Sequence, residues 1–116
     1  VSLVNLDSRE FVPVHNTVGG TVTDATKFSF QQSGENITAD YAGGDIETGH
    51  IVGKFVNEDT AELIYHCLTK DGEMKAGQAQ AHFSISDTGK LTIDMQWQWL
   101  NGDKSAGTSH YEEITD

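Results

Sequence analysis

The chain carries five histidines, His15, His50, His66, His82 and His110, and one cysteine, Cys67. These are the side chains with metal-binding or nucleophilic chemistry. None of the histidines lies within a helical turn or two of another. No His-Glu-x-x-His or Cys-x-x-Cys spacing occurs, so a metal site would need ligands converging from separate strands. The expectation is no metal and no cofactor, with the histidines scattered over the surface or the rim of the fold. Cys67 as a nucleophile would need His66 or His110 as its base. Neighbours on a strand point to opposite faces, so His66 cannot serve directly. The plainer reading of a lone buried cysteine is packing.

A second set of residues suits binding rather than bond-making. Trp97-Gln98-Trp99 puts both indoles on one face, where they would stack on a ligand ring or fill a core. Tyr41-Ala42-Gly43-Gly44 reads as a strand end entering a tight turn. Gly49 and Gly53 share a face with Glu47 and Ile51. Glycine at those positions either relieves curvature or admits a close neighbour. Glu47 on that face would be a lone buried carboxylate, a functional candidate. The candidate ligand-binding residues are therefore Tyr41, Glu47, Tyr65, Trp97 and Trp99, around one mouth of the fold. No catalytic residue is identified. Gln78, Gln80 and His82 form a polar stripe, either a solvated outer face or a surface buried between subunits. Glu112 and Glu113 alternate faces and cannot pair as acid and base.

Strands must position all of these groups. Turn signals recur at Gly19-Gly20, Ser33-Gly34-Glu35-Asn36, Gly43-Gly44, Asn57-Glu58-Asp59, Asp71-Gly72, Asp87-Thr88-Gly89 and Asn101-Gly102-Asp103. The stretches between them are rich in Thr, Val, Ile, Phe, Tyr and Trp, the pattern of an all-β antiparallel meander. The predicted strands are 11–16, 21–32, 36–42, 45–56, 60–70, 73–86, 90–100 and 104–114. Pro13 confines the first to an edge or a strand start. Residues 1–10 are expected to be disordered or to hold a short helical turn. Alternation is clear over 21–32, where Val22, Phe28 and Phe30 share a face. It is clear again over 90–100, where Leu91, Ile93, Met95, Trp97 and Trp99 share one.

The Asp87-Thr88-Gly89 turn fixes a register. A three-residue loop with Gly in the left-handed position places Ser86 opposite Lys90. Ala81 then faces Met95, Ala79 faces Trp97, and Gly77 faces Trp99. Each large side chain meets a small one, as a tightly curved interior requires. The Asp71-Gly72 turn leaves two registers open. A two-residue turn puts Ile64 opposite Ala79; the loop Lys70-Asp71-Gly72 puts Leu63 there. The second sends Leu63, Tyr65 and Cys67 inward and is preferred. Seven or eight sequential strands leave two edges that closure removes. The expected architecture is one domain over 1–116, an up-and-down barrel of the lipocalin or avidin kind. A curved open sheet or a sandwich is second.

At 116 residues the chain is long enough to bury a core without disulfides, and its single cysteine cannot form an internal one. No stretch reads as a signal peptide or transit segment. No apolar run approaches the roughly 18 residues of a membrane helix. A cytoplasmic location is the expectation. Seven basic residues stand against 18 acidic ones, a net charge of −11. Such a surface repels phosphate backbones and anionic headgroups, so neither nucleic acid nor a membrane is an expected partner. A small-molecule ligand and a second copy of the chain remain as partner classes.

The pattern Asn16…Gly19-Gly20, Thr26-Lys27-Phe28-Ser29-Phe30, Tyr41-Ala42-Gly43-Gly44-Asp45-Ile46, Gly49, Gly53, Tyr65, Gly77, Gly89-Lys90-Leu91, Trp97-Gln98-Trp99, Gly102-Asp103, Gly107-Thr108-Ser109 and Glu112-Glu113 resembles a group of small bacterial proteins. They often carry the label N-acetylglutamate synthase, and the resemblance spans about residues 11–114. Acetyl transfer to glutamate is not expected from the residues. The usual Gln/Arg-x-x-Gly-x-Gly/Ala loop is absent, and no helix is present to hold a coenzyme pyrophosphate. Three functional classes follow. The first is a barrel binding a small apolar or aromatic ligand. The second is an enzyme of unknown reaction using Tyr41, Glu47 and Tyr65 as acid–base groups. The third is a structural or oligomerisation module.

Overall fold

The computed structural model describes residues 5–16, 25–101 and 104–114, with His15 and Asn16 given by their backbone alone. The turns at Gly19-Gly20 and Gly102-Asp103, the Val22 end of the second predicted strand, and residues 1–4 and 115–116 lie outside that set.

Eight strands follow one another in chain order: β1 (Arg9–Asn16), β2 (Lys27–Ser33), β3 (Asn36–Gly43), β4 (Ile46–Phe55), β5 (Thr60–Thr69), β6 (Met74–Ile85), β7 (Leu91–Trp99) and β8 (Ala106–Glu113). Every neighbouring pair is antiparallel, and β8 returns to pair with β1, closing the barrel. Closure satisfies the backbone groups that an open sheet or sandwich would leave at its edges. No helix occurs among the described residues. Among those residues, therefore, no helix is long and apolar enough to cross a membrane.

Local chemistry sets the registers. In the β6–β7 turn Gly89 adopts a φ of 85°, and Ser86 N donates to Lys90 O at 2.8 Å. Gly77↔Trp99, Ala79↔Trp97 and Ala81↔Met95 then pair as the turn dictates. Between β5 and β6 the loop is Lys70-Asp71-Gly72, with Gly72 at a φ of 90° and Thr69 N donating to Glu73 O. Leu63 accordingly faces Ala79, and Leu63, Tyr65 and Cys67 point inward.

Two bulges depart from simple alternation. Pro13 lies within β1, beyond the Arg9–Phe11 ladder with β2 and so unpaired on that side among the described residues, and the register with β8 shifts between Pro13 and His15. A bulge is the other place where a sheet tolerates a missing N–H. β1 also begins two residues earlier than predicted, at Arg9. Ahead of it Asp7 and Ser8 form a turn, and Leu6 is wholly buried. The second bulge falls between Ile46 and Thr48 against β5. It leaves Glu47 and Thr48 both outside, with Ile46 and Gly49 inside.

The interior divides into two ends. One is set by the hairpins β2–β3, β4–β5 and β6–β7. It holds Leu6, Phe11, Phe30, Ile37, Phe55, Phe83 and Leu91. Phe11 meets Phe30 edge-on at 5.3 Å, and Phe55 meets Phe83 at 5.4 Å. The opposite end holds Tyr41, Tyr65, Cys67, Trp97 and Trp99.

Candidate functional site

The tyrosine–tryptophan end is built by paired strands that alternate large and absent side chains. Tyr41 on β3 faces Gly49 on β4, and Tyr65 on β5 faces Gly77 on β6. In each pair the ring lies across the glycine. A Cβ on Gly49 would collide with the Tyr41 ring, and one on Gly77 would sit 2.6 Å from Tyr65. The glycines therefore leave no empty space; each admits a close neighbour. Tyr41 fills the position beside Gly49 and Leu63 the one beside Gly53. Gly77 faces Trp99 as the turn requires. The two residues are in register, but the ring over Gly77 is Tyr65, and Trp99 packs edge-on against that tyrosine at 5.2 Å.

The rings form a connected layer. Phe28 stacks on Tyr41 at 4.7 Å and meets Tyr111 edge-on at 5.1 Å. Trp97 and Trp99 lie 6.2 Å apart. The ammonium of Lys75 sits 4.5 Å over the Trp99 ring, a cation–π contact at the rim.

The polar tips of this layer are held in specific ways. The Tyr41 hydroxyl donates to the His66 carbonyl at 3.2 Å. The Ser109 hydroxyl donates to the Tyr111 hydroxyl at 2.9 Å. The Trp99 Nε1–H is buried and has no hydrogen-bond partner among the described residues. Burial of an unpaired donor is unfavourable, and such groups are few in folded proteins.

Burial dominates the electrostatics. It pushes the Tyr41 and Tyr65 phenols well above their usual range, with the neighbouring Cys67 thiol adding to the rise at Tyr41. It raises the Tyr111 phenol to about 12. Burial also raises the Cys67 thiol, partly offset by a hydrogen bond with Tyr41. At neutral pH these groups are therefore protonated donors, not bases or thiolate nucleophiles.

Four of the five sequence candidates, Tyr41, Tyr65, Trp97 and Trp99, come together inside one end. Glu47 does not join them. The Ile46/Thr48 bulge inserts an extra outward position and turns Glu47 to the exposed outer face. Ser109, Tyr111 and Phe28 belong to the same layer and were not singled out from sequence. Ser109 and Tyr111 follow from the register, since Met95 faces Ser109 and Ile93 faces Tyr111. Glu113 is also inside, at the phenylalanine end, where it pairs with Arg9 at 2.5 Å and accepts Leu91 N–H at 3.1 Å.

Outside the barrel, β6, β7 and β8 form a shallow groove lined by Gln78, Gln80, Gln96, Gln98 and Thr108. Among the described residues no three His, Cys, Asp or Glu side chains converge as a metal cage would require.

A family model described as avidin-like protein matches residues 4–114. No curated protein and no solved structure matches the chain.

Proposed function

The chain belongs to the avidin-like family, and on that premise we propose that it holds a small apolar or aromatic molecule at the tyrosine–tryptophan end. The observation that carries this reading is the buried, unpartnered Trp99 Nε1–H. A ligand acceptor atom would satisfy that donor. The faces of Trp97, Trp99 and Tyr65 would cover an apolar or aromatic body, since such rings combine a large contact area with a polar tip. Tyr41 would line the wall, its hydroxyl held by His66. Glu47 contributes nothing to this site from the outer face.

Tryptophan fluorescence titrated with a panel of small aromatic and apolar compounds, biotin among them, tests the reading. A saturable change should appear with at least one compound. Trp99→Phe keeps an aromatic ring but removes the N–H together with part of the indole face, so it should weaken that compound by about tenfold or more, at least the worth of one hydrogen bond to a buried donor. Binding unaffected by both Trp99→Phe and Trp97→Ala would place the ligand elsewhere and defeat the proposal.

Acid–base catalysis by Tyr41 and Tyr65 is less well supported, because burial keeps both phenols protonated. Self-association is a separate reading with its own observation. Val52 and Ile64 face each other across β4 and β5 on the outer surface and are 62% and 63% exposed. They adjoin Gln78 of the glutamine groove. A second copy would cover that surface. A purely monomeric mass by native mass spectrometry at working concentration would rule this out.

A further inference from the structure

His50 on β4 and His66 on β5 are 16 positions apart in sequence and directly opposite in the sheet. Both point to the outer face and both are exposed. Their ring centroids are 5.6 Å apart, with the planes tilted by 47°. Two imidazoles bound to one ion at about 2.0–2.1 Å per nitrogen hold their centroids roughly 5 Å apart. A small side-chain rotation closes that gap.

A third residue stands in the same row. Asp40 on β3 is directly opposite His50, and its Oδ1 lies 2.5 Å from His50 Nδ1. A proton on Nδ1 shared with the carboxylate leaves Nε2 with its lone pair free. A carboxylate that orients a histidine in this way is the usual outer partner of a metal ligand. His66 carries no such carboxylate, and its ring has no hydrogen bond among the described residues.

We propose that His50 and His66 form an open two-imidazole site for a divalent late transition ion, with Asp40 as the residue that fixes the His50 tautomer. Imidazole donors favour Zn2+, Ni2+ or Cu2+ over Mg2+ or Ca2+, which require oxygen ligands. With no third protein ligand converging among the described residues, water completes the coordination shell. The excess of acidic residues on the chain draws cations toward the surface.

A second row of the same residue types provides the contrast. His82, Asp94 and His110 lie across β6, β7 and β8, with Asp94 opposite both histidines. Asp94 Oδ1 is 2.6 Å from His110 Nδ1. Here the carboxylate stands between the imidazoles, so no two rings face each other across a single ladder. The order of residues in the row, not their composition, distinguishes the two sites.

Isothermal titration of the purified protein with zinc chloride, repeated with nickel chloride, is the test. One saturable site is expected, together with a metal-dependent rise in the unfolding temperature, because the ion bridges two strands and binds only the folded form. His50→Ala and His66→Ala should each abolish that site. Asp40→Asn should weaken it by about 10- to 100-fold, the usual effect of removing an outer carboxylate. His110→Ala should leave it unchanged. All four positions are on the outer face, so circular dichroism should show that each variant retains the fold. No saturable binding, or binding that survives His66→Ala and falls with His110→Ala, overturns the proposal.

Discussion

The two ends of the barrel are made from the same strands but from different side chains. The phenylalanine end is closed by Phe11, Phe30, Phe83, Leu6 and Ile37, each at most 1% exposed. Its one buried charge, Glu113, is fully engaged by Arg9 and by the Leu91 amide. The other end is lined by Tyr41, Tyr65, Trp97 and Trp99, which are 4–7% exposed and carry polar tips. One of those tips, the Trp99 indole N–H, has no partner among the described residues. An engaged carboxylate at one end and an unpartnered donor at the other, among the described residues, set the core-like end apart from the end proposed to bind a ligand. Function-bearing sites commonly carry such unsatisfied groups, while the remainder of a sequence satisfies its own.

Substitutions at each end test the contrast. Phe83→Ala, in the phenylalanine end, should cost about 3–5 kcal/mol by leaving a cavity in a closed core. Urea unfolding measures this. A loss below about 1 kcal/mol would show that this end is not the stabilising one. Ala79→Leu, opposite Trp97, should cost about 1–3 kcal/mol by overpacking. It should also shift the tryptophan emission, which Phe83→Ala should not. A mutant as stable as the parent would contradict the observed register. Tyr41→Phe removes the bond to the His66 carbonyl and the contact with the Cys67 thiol, and should cost about 0.5–1.5 kcal/mol.

The last contrast is a pH dependence. The Tyr111 phenol is raised from the model-peptide value near 10 to about 12 in the fold. The fold therefore favours its neutral form. That stabilisation is fully present below pH 10 and is lost as pH rises through 10 toward 12. Urea midpoints should fall across that interval; Tyr41 and Tyr65, raised further still, add to the fall, so Tyr111→Phe should make it less steep without abolishing it. Absorbance near 295 nm should show the phenols ionising later in the folded protein than in the unfolded chain.

Much of this was legible in the sequence because turn chemistry and side-chain size agree. Asp87-Thr88-Gly89 permits one hairpin geometry, and that geometry paired Ala79 with Trp97 and Gly77 with Trp99 as observed. The inward placement of Leu63, Tyr65 and Cys67 depended on which of two loops formed at Asp71-Gly72. Alternation alone could not decide it, because a one-residue slip inverts every position. Glu47 was misplaced for the same reason in reverse. A bulge adds a residue without any composition signal at Ile46-Glu47-Thr48, so counting in twos from Gly49 gives the wrong face. Pro13 did signal an irregularity, but not that it would be a bulge inside a closed barrel. Which ring covers which glycine was not readable either. Tyr65 and Trp99 both flank Gly77, and only three-dimensional packing assigns the position to Tyr65.

Closure through β1 and β8 also has a kinetic consequence. Each of the other ladders joins strands adjacent in the chain, and can zip from its own connection. The closing seam joins groups as far apart as Arg9 and Glu113, 104 positions away in sequence. Bringing such distant segments together has the largest loop-closure entropy of any step, and contacts of long sequence separation slow folding. The seam should therefore form last and open first. In the native state the amides of β1 and β8 should exchange with deuterium through partial openings, ahead of those of β5 and β6, whose exchange should require unfolding of the whole sheet. Uniform protection around the barrel would show instead that its eight ladders rise and fall as one cooperative unit.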